Sequence, residues 1–127
     1  MTKKNSKYSW SLKEPMHIEK NDKHYDKYVN QLKQKGFSDT ETWSLDYVVS
    51  AFILPRLKRF KQVSNGYPPT LTVKQWNKIL DDMIFAFEWN INIDDQYNLT
   101  QKEQEKNWDK HRKGLELFAK YFRELWW

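Results

Sequence analysis

Two arginines three residues apart, Arg56 and Arg59, follow directly on the apolar run Tyr47–Leu54. Residues three apart on a helix share a face. The planar guanidinium suits a two-pronged grip on phosphate or carboxylate. Lys58 lies between the two arginines. Trp43, Tyr47 and Tyr67 flank the run with aromatic faces on which a ligand can stack. These six residues form a candidate site for a phosphorylated small ligand. The competing arrangement is internal: an ion pair of Arg56 or Arg59 with Glu88 or Asp46, because a charge at the edge of a core needs a partner.

Other polar residues are weaker candidates for chemistry. Glu88, between Phe87 and Trp89, sits where a general base would have a raised pKa, or serves as the ion-pair partner just named. Asp46 and Ser50 are four apart, so they share a helical face. They either floor a polar pocket or serve the helix itself, Asp46 at its positive end and Ser50 on its own backbone. Helical enzymes that cleave nucleotide pyrophosphates with Mg²⁺ need acid pairs at one-turn spacing. Here Asp81 and Asp82 are adjacent, hence on different faces. His17, His24 and His111 have no histidine four residues away. The chain has no cysteine, which excludes disulfides, thiol nucleophiles and zinc–thiolate sites. The three glycines are far apart and form no phosphate-binding loop. The expectation is a protein without catalytic residues, metal or cofactor.

The elements that must position these residues read as helices. Gly and Pro are scarce, at three and four residues, and no segment alternates as a strand. A first helix is expected from about Asp22 to Lys35, with the stripe Tyr25, Tyr28, Val29 and Leu32, ended by Gly36. A second is expected over Leu45–Val63, capped by Ser44 or preceded by a Ser38/Glu41 capping box. Its segment Tyr47–Leu54 is apolar on every side except Ser50, which predicts a buried central rod. Pro55 should kink it. A third helix starts at a Thr72/Gln75 capping box and carries Trp76, Ile79, Leu80, Met83 and Phe87. A fourth starts at Thr100/Glu103 and runs to the C-terminus, with the stripe Trp108, His111, Leu115, Phe118, Phe122 and Leu125. Gly114 should weaken it by about 1 kcal/mol relative to Ala. The fold class expected is all-α: a compact bundle of about four helices with a Pro-kinked central helix. Residues 1–15 read as an extended basic N-terminal arm, and 16–127 as a single helical domain.

The net charge of +5 is uneven. Residues 1–35 hold nine Lys and four acids, giving +5; residues 64–100 hold two Lys and five acids, giving −3. A basic head followed by an acidic middle is a poorer nucleic-acid signature than one continuous basic face. No run approaches the ~20 apolar residues of a membrane span, and the polar start shows no secretory pattern. The chain holds seven Trp. Trp76 and Trp108 fall on helical stripes and are expected in the core. Trp10, Trp43, Trp89, Trp126 and Trp127 fall at ends or in loops, where exposed Trp often marks an interface. A homo-oligomer, by default a dimer, is expected from them.

Thr42-Trp43-Ser44-Leu45-Asp46-Tyr47, Pro55-Arg56-Leu57-Lys58-Arg59-Phe60, Gly66-Tyr67-Pro68, Leu71-Thr72, Trp76, Ile79-Leu80, Met83-Ile84 and Ala86-Phe87-Glu88 together form a distinctive pattern. The segment Thr42–Glu88 resembles a family of short bacteriophage-encoded proteins of unknown function. That resemblance implies a viral accessory protein acting in the host cytoplasm and implies no particular chemistry. Three functions follow as expectations. The first is capture of a phosphorylated small ligand, such as a nucleotide signal of host defence. The second is docking on a host protein, as inhibitor or adaptor, through the terminal aromatics. The third is non-specific nucleic-acid binding through the Lys-rich head.

Overall fold

The computed structural model describes residues 13–126. Its α-helices are α1 (Tyr25–Lys35), α2 (Leu45–Val63), α3 (Val73–Ile91) and α4 (Gln101–Lys120). Three 3-10 turns lie at Asp39–Ser44, Ile93–Asn98 and Phe122–Glu124. No strand occurs among the described residues, and the fold is all-α. None of the helices is long and apolar enough to cross a membrane.

Local chemistry sets where the helices start. Thr72 Oγ1 accepts from the Gln75 N–H at 3.1 Å, and Gln75 Oε1 accepts from the Thr72 N–H at 2.8 Å. Thr100 and Glu103 repeat the exchange at 3.2 and 3.1 Å. Each box satisfies backbone donors that a first helical turn leaves open. The Ser38/Glu41 pair opens the 3-10 turn rather than α2 itself: Glu41 Oε2 accepts from the Ser38 N–H at 2.9 Å. α2 then continues directly from that turn at Leu45.

The chain divides into two compact units, Met1–Val48 and Val49–Trp127. The boundary between them falls within α2; residues 1–12 of the expected N-terminal arm, with Trp10, and also Trp127, lie outside the described residues.

In the first unit, α1 starts at Tyr25, three residues later than expected. Asp22 instead makes the entry turn, its carboxylate accepting from the His24 N–H at 2.8 Å. Gly36 ends α1 in the left-handed conformation, φ 81°, with its N–H on the Leu32 carbonyl, a backbone state that favours glycine. Gln31 binds the following turn twice: Asp39 Oδ2 accepts from Gln31 Nε2 at 3.0 Å, and Gln31 Oε1 accepts from the Asp39 N–H at 2.7 Å.

The core of the second unit is built from Leu57 of α2 and Trp76, Leu80, Met83 and Phe87 of α3. Ile53, Leu54, Phe60, Leu117, Phe118 and Tyr121 pack around them. The most buried helix is therefore α3, not α2. Tyr47 and Val49 of the expected interior rod are exposed, while Val48 and Ser50 are buried. Apolar residues all round α2 did not produce burial all round, because the lining of the core comes mainly from α3, to which α2 adds Leu57.

α3 and α4 approach closely at Gly114. A Cβ there would lie 2.6 Å from Ala86 Cβ and collide with the Asp82 carbonyl oxygen. This contact orients α4 so that His111 and Gly114 are buried, and Leu117, Phe118 and Tyr121 half-buried. Trp108, Leu115 and Phe122, expected on the inner stripe, are exposed. α4 ends at Lys120, short of the C-terminus, and a 3-10 turn follows.

Candidate functional site

The six residues expected to bind a ligand do not assemble as a pocket within either unit. Trp43 and Tyr47 belong to the first unit; Arg56, Lys58, Arg59 and Tyr67 belong to the second. Trp43 meets Tyr28 edge-to-face at 5.8 Å, and Tyr47 meets His17 at 6.4 Å. Arg56 folds back along its own helix: Nη1 donates to the Phe52 carbonyl at 2.9 Å, and the guanidinium lies 4.0 Å from the centre of the Phe52 ring. Arg59 Nη1 donates to Gln62 Oε1 at 3.2 Å. Both arginines are exposed. Of the two carboxylates expected as alternative partners for them, Glu88 and Asp46, Glu88 instead meets Lys58 Nζ at 3.0 Å. One turn on, Lys61 meets Asp81 at 2.7 Å. These two pairs bridge α2 and α3, so the basic end of α2 serves to bind its neighbouring helix. Tyr67 lines a separate cleft with Pro68, Glu124 and Trp126.

Ser50 is buried, and its hydroxyl accepts from Asn90 Nδ2 at 3.0 Å, an interhelical link rather than a pocket floor. Among the described residues no group of three or more His, Asp or Glu side chains is placed to hold a metal ion.

A different site emerges beside the end of α3 and the start of α4. A cleft of about 490 Å³ is walled by Trp89 and Trp108. Gln96 from the 3-10 turn and Gln101 and Gln104 from α4 supply amides, and Glu105 and Asp109 supply carboxylates. The Thr100/Glu103 cap fixes where α4 begins and so where Gln101, Gln104, Glu105 and Trp108 emerge. The lining is held in place by its own bonds. Gln104 Nε2 donates to the Leu99 carbonyl at 3.0 Å, and Gln96 Oε1 accepts from Asn107 Nδ2 at 3.1 Å. Asp109 forms an ion pair with Arg112 on the next turn.

Three rings back the cleft. The His111 ring lies 4.2 Å from that of Trp89, and Trp89 meets Trp108 at 5.3 Å. Burial between these rings lowers the His111 pKa below its ordinary 6.5. Trp89 is only 8% exposed, whereas Trp108 is 51% exposed. The two tryptophans thus exchange the roles expected of them, core for Trp108 and surface for Trp89. The buried Trp89 Nε1–H has no hydrogen-bond partner, nor does that of Trp76. Trp76 lies in the core against Tyr121, while Trp89 borders the cleft.

Sequence reasoning passed over this site. Its only legible signals were two tryptophans and a cluster of amides around a cap, and none of these is diagnostic without the rotation of α4. No protein-family model, curated protein or solved structure matches the chain.

Proposed function

We propose that this chain is a non-enzymatic binding protein whose ligand is a small molecule held in the cleft between Trp89 and Trp108. One observation carries the reading. A half-exposed indole, three glutamines and two carboxylates line one cleft. An apolar wall with a few convergent polar groups is the usual make-up of a small-molecule site. The phosphorylated ligand expected at Arg56 and Arg59 has less support. Both guanidinium groups are engaged along their own helix, Lys58 is engaged by Glu88, and the cleft at Trp108 presents carboxylates. The resemblance of Thr42–Glu88 to phage proteins extends the proposal to a phage accessory protein that sequesters a molecule of its host's cytoplasm, as an antagonist of host defence.

A second reading is an adaptor or inhibitor that docks on a host protein, or pairs two copies of this chain. It is favoured by Trp126, 72% exposed, beside Tyr67 and Pro68 in a cleft of about 380 Å³.

Native mass spectrometry of the protein recovered from cells separates the two readings. Retained small-molecule mass that disappears in Trp108→Ala and persists in an Arg56→Ala/Arg59→Ala variant supports the Trp89–Trp108 cleft. The opposite pattern refutes it, and so does a bare monomer mass in all three proteins. A retained protein partner or a dimer that is lost in Trp126→Ala supports the second reading.

A further inference from the structure

We infer that the ligand class taken by the Trp89–Trp108 cleft is an uncharged saccharide. The inference rests on the reading of that cleft as a small-ligand site and goes beyond it by assigning the chemistry.

The lining determines what a ligand must bring. The indole of Trp108 offers an exposed, electron-rich face. A sugar ring turns a face of weakly positive C–H groups towards such a surface and packs flat on it. Amides donate and accept, carboxylates only accept, and an indole N–H only donates. Gln96, Gln101 and Gln104 with Glu105 and Asp109 hold one another and their neighbours by bonds that leave part of their capacity to donate and accept open, and a partner carrying donors and acceptors on the same small scaffold matches it best. Hydroxyl groups do both.

Two other ligand classes fit less well. A phosphate would bring its charge against Glu105 and Asp109, and Arg112 is already paired with Asp109. A quaternary ammonium would suit Trp108 and the carboxylates but carries no donor or acceptor to exchange with the glutamine amides.

The polar groups are also anchored before a ligand arrives. Gln104 is tied to Leu99, Gln96 to Asn107, and Trp108 meets Trp89 edge-to-face. Side chains held in this way lose little freedom on binding.

Saturation-transfer NMR on the full chain tests the assignment. The probes are glucose, N-acetylglucosamine and cellobiose, with choline and glucose 6-phosphate as charged alternatives. At least one uncharged sugar should give a saturable signal, and glucose 6-phosphate should bind more weakly than glucose. Trp108→Ala should weaken sugar binding roughly tenfold or more, while Trp108→Phe, which keeps a ring, should retain most of it. Trp108 is half-exposed, so both variants should fold, and circular dichroism checks that they do. Gln104→Ala, at a second position, should also weaken binding. Sugar binding indifferent to Trp108→Ala overturns the assignment, as does the absence of a signal from all three sugars. Trp108-dependent binding of choline or glucose 6-phosphate alone also overturns it, while leaving the cleft itself as a binding site.

Discussion

Gly114 shows how one residue can invert a local expectation. By helix propensity, Gly114→Ala should stabilise α4 by about 1 kcal/mol. The close approach to Asp82 and Ala86 reverses the sign: overpacking costs about 1–3 kcal/mol, and urea denaturation should show a net loss. A gain would mean that α3 and α4 stand further apart. His111 makes a second residue-scale prediction. Its burial lowers the folded-state pKa below 6.5, so the unfolded chain takes up the proton first. Its contribution to stability is present above pH 6.5 and falls as the pH drops through that value towards the folded-state pKa. His111→Phe, which keeps a ring against Trp89, should therefore lose less stability than the parent between about pH 7.5 and pH 5.5. Thermal melts at the two pH values measure the difference; equal losses would contradict a neutral, buried His111.

At the scale of elements, what the sequence revealed was what neighbouring residues decide among themselves. The Thr72/Gln75 and Thr100/Glu103 boxes and the Gly36 stop involve residues within one turn, and each is built as expected. Burial was harder to read, because it depends on which helix meets which. α2 carries the most continuous apolar run, yet α3 supplies most of the core, and α4 turns a different face inward once Gly114 permits the close crossing. Two substitutions of similar apparent weight in the sequence should therefore differ. Met83→Ala, at a fully buried position, should cost about 2–5 kcal/mol. Val49→Ala, within the run expected to be interior, should change stability by no more than about 0.5 kcal/mol. Similar costs in chemical denaturation would restore α2 as the inner helix. The Lys58–Glu88 pair is half-exposed on both sides, so a double-mutant cycle should give about 0.2–1 kcal/mol. Its role is to align α2 with α3.

For the molecule as a whole, helical content was legible, because it follows from local propensity and capping. Propensity and capping act between neighbours in sequence, whereas the two units on either side of Val48 and Val49 reflect which residues come into contact in space. The candidate site shows the same divide. Arg56 and Arg59 stood out because their spacing is visible in one dimension, and they turned out to bond along their own helix. Trp89 and Trp108 are separated by a 3-10 turn and two helix ends, and only the packed unit brings their rings to 5.3 Å. The indole ¹⁵N–¹H spectrum of the full chain, titrated with cellobiose, tests the resulting claim most directly. Movement of the Trp89 and Trp108 signals with Trp43 and Trp76 unchanged is the expected result. Movement of Trp43, with the Arg56 and Arg59 side-chain signals, while Trp89 stays still would contradict it.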